Sequence, residues 1–288
     1  MTVQFGFSLQ GRGVLAGREA ITTLAKRADA LGYDSIWITD RLLIPVHTRT
    51  AYPYSSTGAF PLGPDEPWLE ALTALTYLAT ITERIRVGTS VLVVPYRNPV
   101  HTAKALATAD YLSGGRVIFG AGIGWWREEF ESLGVPFADR AARTLEYLRI
   151  MKAIWTGETA EFHGRFVSFD PIWSYPKPVQ KPHPPVLLGG ESEHTLRRVV
   201  EFCDGWFPRG RNAADAGPVL AGLDRLGVLA RQAGRDPKTI STSVFGARPD
   251  APVLDGYRAA GVTRAVFRLP PEGRDRILPL LDQYAKLI

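Results

Sequence analysis

Apolar and polar positions along this chain follow two periods that alternate. Short runs rich in β-branched and aromatic residues recur at 3–9 (VQFGFSL), 35–39 (SIWIT), 86–94 (RVGTSVLVV), 116–120 (RVIFG), 186–190 (VLLGG), 205–207 (GWF), 240–245 (ISTSVF) and 264–269 (RAVFRL). These have the length and residue types of buried strands. Between them the apolar positions switch to helical spacing. From Arg18 to Leu31 the residues Ile21, Leu24, Ala25, Ala28 and Leu31 share one face, and Gly32 stands where a helix would close. Leu72, Leu75 and Leu78 repeat the spacing, as do Leu145, Leu148, Met151 and Ile154. Eight strand-like runs alternating with helices predict a parallel sheet, and eight is the number that closes a TIM (β/α)8 barrel. An open doubly wound sheet is the competing arrangement on pattern alone.

Two connections are too long for simple turns. Residues 41–67 (RLLIPVHTRTAYPYSSTGAFPLGPDEP) follow the second strand, and 156–185 (TGETAEFHGRFVSFDPIWSYPKPVQKPHPP) precede the fifth. Loops that follow barrel strands rise over the C-terminal face, where active sites are built, so the first reads as a lid or substrate wall. The second reads as a helix end, a small hairpin around EFHGRFVSF and an extended proline segment. The expectation is one α/β barrel domain over 1–288, with insertions after strand 2 and before strand 5.

Composition narrows the class. In 288 residues, 45% hydrophobic and 22% charged positions are ordinary for a globular protein, and no apolar run is long enough to cross a membrane. The start MTVQFGFSLQ lacks a basic stretch followed by an apolar one, so a cytoplasmic location is expected. A single cysteine, Cys203, excludes a disulfide framework and a multi-cysteine metal site. The net charge of +5 is scattered, without the basic stripe and module of a nucleic-acid binder, though it suits a phosphorylated ligand. His47, His101, His163, His183 and His194 form no H-x-H or HExxH spacing, so no metal is expected.

Two glycine clusters carry candidate chemistry. In RVIFGAGIGWWREEF (116–130) a strand runs into Gly120, Gly122 and Gly124. The third glycine is not at the offset of G-x-G-x-x-G, and no acidic residue closes a following strand about twenty residues on, so this is not a dinucleotide fingerprint. In LLGGESEHTLRR (187–198) Gly189 and Gly190 end a strand directly before a helix, with Ser192 at the N-cap position and His194 in the first turn. Glycine lets a ligand approach the backbone, and the unpaired N–H groups of a helix start attract an anion. A plain strand-to-helix turn is the other reading.

Four segments together carry a family resemblance: ADALGYDSIWITD (28–40), RIRVGTSVLVVPYRNPV (84–100), AKALATADYLSGGRVIFGAGIGWWREEF (103–130) and YPKPVQKPHPPVLLGGESEHTLRRVVEFCDGW (175–206). The chain resembles the luciferase-like monooxygenase superfamily, and within it the short F420-dependent oxidoreductases. The resemblance implies a barrel holding a tricyclic cofactor, F420 with FMN as the alternative, and hydride transfer to or from a small organic substrate. It implies a cofactor phosphate at Gly189, Gly190, Ser192 and His194. It also implies a non-proline cis peptide at Ser90–Val91 whose bulge backs the ring. Gly120, Gly122 and Gly124 would let the ring lie close to the backbone, or merely spare space inside the barrel.

Asp40 is implied to border the reacting edge of the ring. Family members commonly follow it with histidine, and this chain has Arg41, which cannot act as a base at neutral pH. Trp125 stands where the sugar-phosphate dehydrogenases of the family carry a glutamate acid. Arg41 then reads as a group that orients an anionic substrate, or as a salt-bridge partner of Asp40. His101 is a candidate at the active face or a plain helix-start residue, and Trp125 and Trp126 either stack on ligand or pack. With F420 as cofactor, basic residues near the mouth such as Arg127, Arg197 or Arg209 could supply screening for its acidic tail. An FMN-dependent monooxygenase, a non-catalytic cofactor-binding barrel and a cofactor-free lyase or isomerase acting on a sugar phosphate remain as alternatives, the last without a lysine or metal carboxylates at strand ends. A homodimer paired through outer helices is the family's habit.

Overall fold

The computed structural model describes residues 2–60, 63, 66–210 and 216–288. Its strands are β1 (Gln4–Gln10), β2 (Ser35–Ile38), β3 (Arg86–Thr89), β4 (Leu92–Val93), β5 (Val117–Gly122), β6 (Thr159–His163), β7 (Ser168–Trp173), β8 (Val186–Gly189), β9 (Gly205–Phe207), β10 (Ser241–Ala247) and β11 (Arg264–Arg268). All except β6 and β7 pair in parallel, in the order β3-β2-β1-β11-β10-β9-β8-β5-β4, and β3 also pairs with β5 to close the ring. β4 resumes β3 after an interruption. Gly88 lies opposite Ile118 and Leu92 opposite Ala121, so four steps on one strand match three on the other. The surplus residue is a bulge at Ser90 and Val91, whose peptide is cis. With β3 and β4 counted as one strand the barrel has eight, and the open-sheet alternative falls away.

The connecting helices are α1 (Arg18–Leu31), α2 (Ala71–Ile81), α3 (Pro99–Leu112), α4 (Arg127–Ser132), α5 (Arg140–Thr156), α6 (Glu193–Phe202), α7 (Gly217–Gln232), α8 (Ala251–Ala259) and α9 (Arg274–Tyr284). Their ends follow local chemistry. Gly32 closes α1 in the left-handed region at φ 85°, and Asn98 opens α3 by accepting from the N–H groups of Val100 and His101 ahead of Pro99. Alternate strand residues face outward: Phe5, Phe7 and Leu9 of β1 share one buried cluster with Leu24 and Ala28 of α1. Fully burying each large apolar side chain of this kind stabilises the fold by about 1.5–3 kcal/mol.

The barrel interior is filled rather than hollow. Trp37 stacks on Phe207 with ring centres 4.8 Å apart, among Ile118, Leu187 and Val266. At the N-terminal end Arg264 is ion-paired with Asp34 and donates to Ser243 Oγ at 3.0 Å and Gln4 Oε1 at 2.9 Å, a polar plug under the apolar layer. The hairpin expected before the fifth barrel strand is β6–β7, and Glu146 of α5 holds its turn by accepting from the N–H groups of Arg165, Phe166 and Val167.

Candidate active site

The bulge between β3 and β4 stands at the C-terminal end of the barrel, and three glycines make room for it. A Cβ on Gly120 would lie 1.9 Å from the Thr89 carbonyl oxygen, one on Gly122 2.3 Å from Val91 Cγ2, and one on Gly189 3.0 Å from Val91 Cγ1. The space beside Gly120 and Gly122 is therefore taken by the chain itself, which is the space-sparing role and not approach of a ring from that side. Gly124 turns at φ 79° with Phe130 and Val93 against its Cα. Ser90 Oγ is buried and has no hydrogen-bond partner. An unsatisfied buried hydroxyl costs about 1–3 kcal/mol, and a ligand atom placed over the bulge would relieve it.

Asp40 does not border an open edge. Its carboxylate is fully buried and receives both Nη1 and Nη2 of Arg97 at 2.7 Å, together with the Val93 N–H at 2.9 Å. That bidentate pair ties the end of β2 to the chain beyond the bulge. Arg97 is held a second time by Glu70, the N-cap of α2, at 2.6 Å. The Asp40 carboxylate is thus committed to Arg97 and the Val93 N–H.

Arg41 pairs with Glu129 of α4 and not with Asp40. Glu129 is fully buried and also receives the Tyr96 hydroxyl at 2.8 Å and the Leu42 N–H at 2.9 Å. Burial, with the Glu129 charge beside it, holds the Tyr96 phenol far above its usual range, so it stays protonated. The Arg41 guanidinium lies 4.8–5.7 Å from the ring centres of Phe60, Trp68, Trp125 and Trp126, and its Nε has no acceptor. Arg41 is thus a buried clamp inside an aromatic cluster. Trp125 belongs to the same cluster: it stacks on Trp126 at 4.9 Å and meets Tyr52 and Phe60 of the 41–67 connection.

That connection folds over the barrel end, as a lid would. Glu128 of α4 accepts from the Arg49 N–H at 2.5 Å, the Thr50 N–H at 3.1 Å and Thr50 Oγ1 at 2.6 Å, and Trp126 Nε1 donates to Thr48 Oγ1 at 2.8 Å. Burial alone would raise the Glu128 carboxyl, but those donors outweigh it and bring it down to about 2. The run REEF that opens α4 therefore spends one glutamate on the lid and the next on Arg41. Sequence reasoning passed over both, because neither charge run nor spacing marks a carboxylate whose partners lie some 80 residues away.

At the end of β8, Gly190 has φ 119°, a conformation other residues rarely adopt, and its Cα faces Thr195 of α6. Ser192 caps α6 as expected, its Oγ accepting from the Thr195 N–H at 3.2 Å. His194 is exposed in the first turn. Arg209, just beyond β9, is bidentate to Glu191 and sits 3.6 Å from the Tyr54 ring centre, so it fastens the lid. Arg197 pairs with Glu193, and Arg127 stacks on Phe137 at 4.5 Å. His101 is exposed in the first turn of α3 and lines a groove between α2 and α3 with Thr73, Thr76 and Tyr77, which reaches Leu42, Glu70 and Arg97. Among the described residues no helix is long and apolar enough to cross a membrane, and no group of three His, Cys, Asp or Glu is placed to hold a metal ion.

The seam between β1 and β11 brings together residues that sequence reasoning did not single out. Ser8 Oγ and Arg12 Nη1 are buried there without hydrogen-bond partners. With Ser90 Oγ and Arg41 Nε, four of the six such side-chain atoms among the described residues gather at this one end of the barrel. Burial pushes the Arg12 guanidinium below its usual range, Glu66 offsets this, and the nearby charge of Arg268 adds to it. Gln10, at φ 61°, positions Arg12 by accepting from its Nε at 2.7 Å. A left-handed conformation costs a non-glycine residue about 1–3 kcal/mol and persists only where its surroundings impose it.

Residues 3–253 match the family model for luciferase-like monooxygenases. An uncharacterized protein of Mycobacterium tuberculosis is 34% identical over 267 residues, covering 91% of each chain. The FMNH(2)-dependent dimethylsulfone monooxygenase of Pseudomonas putida is 29% identical over 206 residues, 65% of this chain and 56% of that one. In fold, the chain superposes on the coenzyme F420 dependent tetrahydromethanopterin reductase of Methanopyrus kandleri with a TM-score of 0.72, 19% identity and 98% of each chain covered. The matching model spans most of the closed eight-stranded barrel, and on that ground the chain belongs to the luciferase-like monooxygenase family.

Proposed function

We propose that this protein is an F420-dependent oxidoreductase that moves a hydride between the cofactor and a small organic substrate. The observation that carries the reading is the bulge at Ser90 and Val91, with a buried Ser90 hydroxyl left unsatisfied at the mouth of the barrel. A planar ring laid against it would receive that hydrogen bond, and the polar orphans around the mouth fit a polar ligand. Bound F420 supplies a ring carbon that gives or takes a hydride. The backbone at Gly189 and Gly190 and the start of α6, with Ser192 and His194, would hold the phosphate against unpaired N–H groups. The lid, drawn down by Glu128, Glu191 and the Arg41–Glu129 pair, excludes water from the ring. Asp40 and Arg41 support this arrangement from behind. FMN shares the ring and ribityl phosphate, and the Pseudomonas relative uses FMNH(2), so a monooxygenase is the second reading.

Titration of the cofactor-free protein with F420 and with FMN separates the two. Tighter F420 binding and oxygen-independent reduction of enones or imines is the expected result. Tighter FMN binding with oxygen-dependent product overturns the hydride-transfer reading, and F420 binding without turnover of any substrate class leaves a carrier barrel.

A further inference from the structure

Ser8 and Arg268 stand opposite each other on the β1–β11 ladder, and facing residues of parallel strands point to the same side. That side is the barrel interior, because Val266, two residues before Arg268, belongs to the interior cluster. Ser8 is fully buried with its hydroxyl unsatisfied. Arg268 is exposed at the rim and has no ion pair among the described residues. Arg12 is 8% exposed, lies 5.7 Å from the centre of the Trp68 ring, and is held by Gln10, whose Nε2 donates to the Leu269 carbonyl at 3.0 Å. The carboxylate beside it, Glu66 of the lid, stands 3.8 Å from Nη1, beyond hydrogen-bond reach.

We propose that Arg12, Arg268 and Ser8 form a recognition site for the carboxylate of an acidic substrate. Like charges at Arg12 and Arg268 repel, Glu66 at 3.8 Å offsets this without a hydrogen bond, and an oxyanion bonded directly to the arginines would offset it further. The planar guanidinium of Arg12 offers parallel N–H donors that match a carboxylate, and burial strengthens the pairing. An incoming acid would displace the loose contact to Glu66. The position favours substrate over cofactor. In the ring of eight strands β1 is four steps from β8, and β11 is four steps from β5, so this seam lies across the mouth from the Gly189–Gly190 end of β8. A ring spanning the mouth would have its phosphate on one side and the substrate's acid on the other. The inference rests on the cofactor reading for what happens next, but not for the binding of the anion.

Calorimetric titration with crotonate, methyl crotonate and inorganic phosphate tests it on the parent, Arg12→Gln and Arg268→Gln, each with and without F420. Crotonate should bind the parent about tenfold or more tightly than its ester, and each variant should weaken crotonate about tenfold while F420 affinity stays within about twofold. Crotonate affinity unchanged in both variants overturns the proposal. So does loss of F420 affinity in step with crotonate, which would give the arginines to the cofactor, or phosphate binding more tightly than crotonate at the same residues. Arg268 is exposed, so its variant keeps the test alive if Arg12→Gln does not fold. Absence of F420 and FMN binding by the parent would sink the cofactor reading while leaving the crotonate result to stand on its own.

Discussion

Arg41 looks in sequence like a residue at the mouth, and its environment makes it a structural clamp. Its partner Glu129 has no exposed surface, so removing the cation strands a buried charge. Breaking such a pair from one side costs about 3–5 kcal/mol, whereas replacing both partners with apolar groups is often nearly neutral. Arg41→Ala should therefore lower stability in denaturant titration by that order, and adding Glu129→Gln, which removes the stranded charge while keeping an acceptor for Tyr96 and Leu42, should recover part of it. A single variant within about 0.5 kcal/mol of the parent would show that the pair is solvated after all. What was legible at Arg41 was its place after strand 2. Its partner was not legible, because Glu129 comes 88 residues later and meets it only when α4 packs beside the end of β2.

At the scale of elements, the lid is held by a carboxylate with a depressed pKa, which gives its docking a pH dependence. Glu128 falls from an ordinary 4.5 to about 2 when Arg49 and Thr50 donate to it. The docked form is favoured fully above the ordinary value and loses that advantage as pH falls from about 4.5 through about 2. Hydrogen exchange at the Arg49 and Thr50 amides, corrected for intrinsic rates, should lose protection across that window, and Glu128→Gln should flatten the profile. Equal pH profiles in parent and variant would detach the lid from Glu128. The long proline- and aromatic-rich connection was readable as a lid from its length and position after a strand. Its anchors were not, since Glu128, Glu191 and Trp126 act from other elements.

For the whole molecule, a ligand that binds only the folded barrel stabilises it by mass action, about 2.7 kcal/mol at free ligand one hundred times Kd. In a chain of this size that corresponds to a rise in Tm of roughly 4–5 °C. The cofactor this barrel uses should give that rise at such an excess, in calorimetric or fluorescence melts. A cofactor that leaves Tm unchanged at that concentration is not bound by the folded state.

The alternation of strand and helix periods determined an eight-stranded parallel α/β sheet by itself, because each apolar run must bury, whereas closure into a barrel rather than an open sheet was decided by the pairing of β3 with β5. The caps at Gly32, Asn98 and Ser192 were equally local, being set by a residue's own φ or by a side chain one turn away. Tertiary structure alone decided which charges are spent and which are left. Asp40 went to Arg97, Arg41 to Glu129 and Arg209 to Glu191, while Ser8, Ser90 and Arg12 kept atoms without hydrogen-bond partners. The physical reason is that a hydrogen bond depends on distance and direction between groups that the chain brings together only on closure. Whether a polar residue is satisfied is a property of the closed barrel and not of its own segment.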